Sequence, residues 1–215
     1  MGNPTVELAY AAAAGPLLQN PHNKDLFATA ASILKEQDGA IKVYHGVQHE
    51  DKATAYLVVV WESYEHHEKL INNKETYSKL GGSITSLFDF TKGPPTMVHV
   101  KPRNEPYKAF EAPVAEIATF TLHEGKSKLE LEGVVDGLAK HLGELVKTNS
   151  EAASVFHTSW GPLKEKDNVL VLFIGWTSVD AHWDLVKSDQ GSGEFITKIK
   201  ALADASIVHV PLILD

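Results

Sequence analysis

The sequence has no cysteine. That excludes disulfides, thiolate nucleophiles and the zinc sites built on thiolates. It is also short of positive charge: 20 Lys and Arg stand against 28 Asp and Glu, a formal net charge of −8. Such a balance repels phosphate backbones and anionic lipid surfaces, so neither nucleic acid nor membrane is expected as a partner. The longest apolar runs, Tyr56–Trp61 and Val169–Ile174, fall far short of the roughly 20 residues that a spanning helix needs. The alanines at 11–14 follow Glu7 and no basic segment, so they do not read as a secretory signal. Met1-Gly2 lacks the position-six Ser or Thr of a myristoylation motif, since Val6 stands there. The expected setting is cytoplasmic. No glycine-rich phosphate loop follows a strand, and no G-x-S-x-G, H-E-x-x-H or EF-hand pattern occurs, which argues against nucleotide, serine-hydrolase, zinc-protease and calcium chemistry. Eleven histidines are present, and they carry whatever acid–base or His/carboxylate metal chemistry the chain has.

The chain is also self-similar. Trp61–Leu70 reads WESYEHHEKL, and Trp176–Leu185 reads WTSVDAHWDL. Trp, Ser, His and Leu share offsets, and Glu65 is matched by Asp180. Val43-Tyr44-His45 recurs as Val155-Phe156-His157. Met97-Val98-His99-Val100 recurs as Ile207-Val208-His209-Val210, and Pro4–Leu8 as Pro113–Ile117. The frame holds with a small insertion placed at Gly161–Asn168. A repeat this long marks a duplicated domain. The halves are 1–104 and 112–215, each large enough for a modest core.

Each half reads as βαββαβ. Thr5–Ala12 is a strand, and Lys24–Gln37 has helical apolar periodicity ending at Asp38-Gly39. Ile41–Val47 alternates as a strand does, and Thr54–Trp61 is a β-branched, aromatic run. Ser63 is placed as the N-cap of a helix that runs towards Phe88 with an irregularity at Asn72-Asn73. Thr96–Lys101 closes the half. The second half repeats this with strands at Val114–Leu122, Ala152–Trp160, Val169–Trp176 and Ser206–Leu214. Its helices are Lys126–Lys147 and Val179–Ala203, the latter interrupted at Gln190–Gly193. The order predicts an α+β fold of two tandem ferredoxin-like repeats, each an antiparallel sheet with helices on one face. The bare faces require cover, and two copies in one chain supply it sheet against sheet, as a barrel with the helices outside.

The motif W-x-S-x-[ED]-x-H, at Trp61/Ser63/Glu65/His67 and Trp176/Ser178/Asp180/His182, together with Gly93-Pro94-Pro95-x-x-Val98-His99-Val100, resembles the dimeric α+β barrel superfamily. The closest branch is the tandem antibiotic-biosynthesis-monooxygenase-like (ABM) and stress-responsive barrel proteins of fungal type. That resemblance covers nearly the whole chain and implies the same architecture. It leaves the reaction open among oxygenation, haem degradation, isomerisation, dehydration and cyclisation, because fold does not fix function.

Strand alternation singles out Glu7, His45 and His99 in the first half, and Glu116, His157 and His209 in the second, as candidate catalytic residues. If Val6/Leu8 and Val98/Val100 turn to the helices, Glu7 and His99 face the barrel interior together. A Glu–His pair in an apolar cavity makes a tuned general base; it also serves as a buried polar pair that fixes register. Tyr10, Tyr44, Trp61, Phe120, Phe156 and Trp176 are candidate substrate contacts, the two tryptophans doubling as core anchors. Ser63 and Ser178 read as helix caps, and His67 and His182 as packing or capping residues. Glu62 and His66 are spaced for a shared metal, but no third ligand is evident and no metal is assigned. No organic cofactor is assigned, with haem and flavin left open.

The reading that follows is an enzyme of secondary metabolism acting on a small apolar, polyketide- or terpenoid-like molecule. Its chemistry would be cofactor-independent oxygenation, isomerisation, dehydration or cyclisation with His/Glu acid–base catalysis. The alternatives are a non-catalytic ligand-binding or stress-responsive barrel and a haem-binding barrel. A chain that covers its own sheets needs no partner, so a monomer or loose homodimer is expected.

Overall fold

The computed structural model describes residues 4–148 and 154–215. The chain divides into two compact units, Met1–Lys101 with Pro211–Asp215, and Pro102–Val210. The expected start of a strand at Ala152 lies outside the described residues.

The first unit contains β1 (Thr5–Ala12), α1 (Gly15–Gln19), α2 (Ala28–Lys35), β2 (Ala40–Val47), β3 (Thr54–Trp61), α3 (Tyr64–Asn72), α4 (Lys74–Ser83) and β4 (Thr96–Val100). Its strands are antiparallel, with β1 between β3 and β4 and with β3 between β1 and β2. The helix expected over 24–37 starts instead as a 3-10 turn at Lys24–Leu26, where the Asn23 side chain accepts from the Asp25 amide; α2 begins only at Ala28. The helix expected to run on to Phe88 breaks at Asn73, whose side chain accepts from the Thr76 amide and so starts a new helix.

The helices pack on one face of this sheet. Ala9, Val43, Leu57, Val59 and Trp61 form a core with Phe27, Leu34, Leu70 and Leu80. Glu7 is two residues from Ala9 and in register with Val59 and His99, so Glu7 and His99 lie on the helix-facing side. This reverses the expectation that they turn away from the helices. The bulkier Val6 and Leu8, expected under the helices, lie on the other face; the small side chains Ala9, Ala11 and Ala13 take the helix side, which lets the helices approach the sheet.

The second unit contains α5 (Tyr107–Phe110), β5 (Val114–Leu122), α6 (Lys128–Thr148), β6 (Val155–Pro162), β7 (Val169–Trp176), α7 (Val179–Ser188), α8 (Gln190–Leu202) and β8 (Ala203–Val210). Its sheet order is β6-β7-β5-β8. Ala118, Phe120, Leu172, Ile174 and Trp176 pack against Leu131, Val135, Leu138 and Ile199 of the helices. The break between α7 and α8 falls at Asp189, whose carboxylate accepts from the Ser192 amide at 2.6 Å; Gly191 and Gly193 sit inside α8. Glu116 pairs with His209 across β5 and β8 and lies on the face of Ala118 and Phe120, again towards the helices.

Strand register corrects two equivalences. Val47 pairs with Ala55, and Pro162 pairs with Leu170, so the loops after β2 and β6 match in length. The extra residues of the second half therefore lie between β5 and β6, not at Gly161–Asn168. His45 pairs with Leu57, and Trp160 with the equivalent Leu172, so the structural counterpart of His45 is Trp160 rather than His157. The V-x-H likeness is out of register.

Beyond β8, Pro211 has no amide hydrogen to give a ladder, and the strand expected to run to Leu214 is interrupted there. β9 (Leu212–Leu214) pairs antiparallel with β2, giving the first sheet the order β4-β1-β3-β2-β9. The last residues thus belong to the first unit. Among the described residues no helix is long and apolar enough to cross a membrane.

Candidate functional site

On the helix-facing side of the first sheet four side chains converge. The Trp61 indole N–H donates to Glu7 Oε2 at 2.8 Å. His67 Nε2 lies 3.5 Å from the same oxygen. The other nitrogen of that ring, Nδ1, shares a 2.7 Å hydrogen bond with His99 Nε2. The His67 ring lies flat on Trp61, with centroids 5.1 Å apart, and Tyr64 meets His99 edge-on. Glu7, His67 and His99 are all buried.

Burial pushes the Glu7 carboxyl up to about 7, against the pull of the Trp61 indole. A carboxyl so placed exchanges its proton near neutral pH, the condition under which a general base works best. Burial, reinforced by His99, holds His67 down at about 3, so its ring stays neutral. A neutral imidazole carries one proton and must donate from one nitrogen and accept at the other. With Glu7 ionised, His67 presents Nε2–H to the carboxylate and accepts from His99 at Nδ1. When Glu7 takes up a proton, both rings can reverse, an arrangement suited to a Glu–His–His proton relay.

The second half repeats the constellation. Trp176 donates to Glu116 Oε2 at 2.6 Å. His182 Nδ1 and His209 Nε2 are 2.9 Å apart, and His182 Nε2 is 3.6 Å from Glu116 Oε2. His209 Nε2 is itself 3.9 Å from that oxygen. Trp183 stacks on His182 with centroids 4.4 Å apart.

Local sequence explains each placement. Trp61 and Trp176 end the central strands beside Glu7 and Glu116. The next residues turn into α3 and α7, which put His67 and His182 back over the tryptophan. Ser178 caps α7 by accepting from the Ala181 amide at 3.1 Å, as expected. Ser63 occupies the same place in the backbone, but its hydroxyl pairs with His66 Nδ1 instead. His66 packs over Gly39, where its ring fills the place of a Cβ and the φ of +76° itself favours glycine, and lies 3.7 Å from Asp38 and 4.0 Å from Glu62.

Each cluster opens on a largely apolar cavity between its sheet and helices. The first, of about 260 Å³, is lined by Glu7, His67, Leu57, Tyr77, Leu80 and Phe90. The second, of about 280 Å³, is lined by Glu116, His182, Phe120, Leu138, Trp183 and Ile199. These volumes fall just below the ~300–1,000 Å³ usual for ligand pockets, which suits a small molecule. In both halves the carboxylate and the helix histidine line the cavity, and the strand histidine stands behind them.

Of the residues chosen from sequence, Glu7 with His99 and Glu116 with His209 come together, and Trp61, Trp176 and Phe120 stand with them. His45 does not join them: its Nδ1 is 2.7 Å from Asp215 Oδ2, its ring packs on Phe27, and its Nε2 is buried with no hydrogen-bond partner among the described residues. His157 lies at the edge of the second sheet, bonded to the Glu105 carbonyl at 2.8 Å. Tyr10 stacks on Tyr56, and Tyr10 and Tyr44 point to the face opposite Glu7. Phe156 is 46% exposed and away from either cavity. The residues missed were His67 and His182. Their signal was the repeat itself: in W-x-S-x-[ED]-x-H the first and last letters are the two side chains that reach the glutamate.

No family model matches the sequence, and no curated protein is a significant match. Solved structures are similar along the whole chain. A candidate monooxygenase of Fusobacterium nucleatum superposes with a TM-score of 0.63 at 11% identity, covering 100% of this chain and 94% of the other. A candidate monooxygenase of Lactobacillus acidophilus gives 0.60 at 10% identity, covering 99% and 95%. An anthrone oxidase-like protein gives 0.66 at 10% identity, covering 99% and 92%. These likenesses show the fold, an α+β arrangement of two units that each carry an antiparallel sheet and helices. It is the tandem, ferredoxin-like form that the W-x-S-x-[ED]-x-H resemblance implied.

Proposed function

We propose that the protein is an oxygenase-like enzyme that removes a proton from a small, mainly apolar substrate held between sheet and helices. One observation carries this reading: a buried glutamate with its carboxyl near 7 lines an apolar cavity, fixed by an indole N–H and backed by two hydrogen-bonded imidazoles. The base is Glu7, with Glu116 as its counterpart. This shifts the role first given to the strand histidines, which become the far end of the relay. Trp61 holds one carboxylate oxygen, and His67 keeps the carboxylate and His99 in proton contact. The substrate therefore carries an acidified C–H or O–H. An activated ketone of polyketide type fits, since its carbanion is conjugated and can itself reduce dioxygen without a bound cofactor. The full-length likeness to an anthrone oxidase-like protein supports this class.

Oxygen uptake by the purified chain with anthrone as probe tests the proposal. Uptake should fall by about 10²–10⁴ in the Glu7→Gln/Glu116→Gln double variant. Equal uptake by the folded double variant and the wild type would remove the base assignment.

A further inference from the structure

The two clusters share their parts and two of their spacings, 2.7 and 3.5 Å in the first and 2.9 and 3.6 Å in the second, but they differ in how the three residues converge. Among the described residues, Glu116, His182 and His209 are the group whose ligand atoms all converge within 4.8 Å. We infer that this second-half cluster is a site for one divalent transition-metal ion, and that the Glu7 cluster is not.

The donor set is two imidazoles and one carboxylate, which suits iron(II), cobalt(II) or zinc rather than magnesium or calcium. With metal–ligand bonds of about 2.0–2.1 Å, neighbouring ligand atoms stand about 3.0–3.4 Å apart. From His209 Nε2, His182 Nδ1 stands at 2.9 Å and Glu116 Oε2 at 3.9 Å, on either side of that range, so side-chain rotations close a shell of His182 Nδ1, His209 Nε2 and the Glu116 carboxylate. Binding replaces the His182–His209 hydrogen bond. Each ring remains neutral, with its proton on the nitrogen that faces away from the metal.

Two further features fit. A divalent cation offsets the cost of holding the Glu116 carboxylate out of water, where burial disfavours the charge. The Trp176 indole already fixes one carboxylate oxygen at 2.6 Å, as the outer partners of metal ligands do. Glu116 and His182 line the cavity, so a metal there keeps open positions facing bound molecules, the arrangement of a reactive rather than a structural site. The inference does not depend on the proton-abstraction reading, because its test reads binding and not turnover.

The experiment is titration of the chelator-treated full-length chain with cobalt(II), followed by visible d–d absorption and by Trp fluorescence. One equivalent should bind. Loss of an outer partner alone costs about 10–100-fold in affinity, so His209→Ala and Glu116→Gln should each lose at least about a hundredfold. Trp176→Phe should lose about tenfold, and His99→Ala should bind as the wild type does. Circular dichroism of each variant keeps misfolding apart from ligand loss. Binding that persists in folded Glu116→Gln and His209→Ala, or that is lost equally in His99→Ala, would overturn the inference, as would no binding to the wild type.

Discussion

The Glu7 and Glu116 clusters use the same Glu, Trp, His and His, yet the aromatic ring laid against the histidines differs. In the first half Tyr64 meets the strand histidine edge-on at 4.9 Å. In the second half Val179 replaces that tyrosine, and Trp183 stacks on the helix histidine while meeting the strand histidine edge-on at 6.0 Å. The first half puts the charged Glu68 where the second has Trp183. The four shared residues are therefore what the duplication kept, and the surrounding rings are what diverged. Trp183 lines the second cavity, whereas Tyr64 and Glu68 are not among the residues lining the first, so two cavities of similar volume differ in their aromatic walls.

Single substitutions break the comparison most sharply. Glu7→Gln keeps an acceptor for the Trp61 indole but cannot take a proton. If the first half works, its oxygen uptake with anthrone should fall by about 10²–10⁴. Glu116→Gln, measured the same way, gives the share of the second half. Wild-type rates in Glu7→Gln would move the reaction out of the first half altogether.

The next effect is on stability. The Glu7 carboxyl is raised from 4.5 to about 7 in the folded chain. Between those values the native state holds a proton that the unfolded chain releases, so stability falls as pH rises through the window. At about 1.4 kcal/mol for each pH unit, the loss is on the order of 3 kcal/mol. His67 works in the opposite direction. Its value is depressed from 6.5 to about 3, so stability is lost as pH falls through that range. The two slopes nearly cancel between pH 4.5 and 6.5. Urea melts of wild type and Glu7→Gln isolate the first term: the wild type should lose about 3 kcal/mol relative to the variant from pH 4.5 to 7. A constant difference would show that Glu7 titrates normally.

Much of this was readable in the chain because duplication supplies its own check. The βαββαβ order, the pairing of Glu7 with His99 and of Glu116 with His209, and the importance of the Trp…His motif all follow from residues seen twice. Three features were not readable, each for a physical reason. The face on which Glu7 lies depended on whether valines or alanines pack under the helices, and hydrophobicity alone does not decide that. His67 and His182 read as packing or capping residues, since nothing local says that a first-turn histidine folds back over a strand-end tryptophan to reach the glutamate. The return of β9 to β2 pairs residues far apart in the chain, and the matching segment after β4, whose Arg103 amide donates to the Trp160 carbonyl of β6, forms no strand that could announce it.

Removing the indole donors has a smaller effect and sharpens the same contrast. Trp61→Phe keeps the ring under His67 but deletes the N–H to Glu7 Oε2. Hydrogen bonds to charged groups contribute about 1.5–3 kcal/mol. The loss should therefore appear above pH 7, where Glu7 is ionised, and shrink in acid, where the carboxyl is neutral. The carboxyl itself should move further up. Trp61→Phe melts that differ from wild type by the same amount at pH 5 and pH 8 would show that the indole only packs.

The smallest effect concerns the one strand the halves do not share. β9 gives the first sheet a fifth strand, held by Asp215 Oδ2 at 2.7 Å from the buried His45 Nδ1, by the Asp215 amide donating to the Val43 carbonyl, and by Lys24 donating to the Leu214 carbonyl. Trp160, the counterpart of His45, donates to Asp136 on α6 instead. Asp215→Asn leaves the backbone ladder intact and weakens only the contact with His45. The expected cost is about 1 kcal/mol, the net worth of an ordinary hydrogen bond. It should appear as faster amide exchange in β2 and β9, with β5 to β8 unchanged. Uniform acceleration across both sheets would instead show that the last strand is coupled to the stability of the whole chain.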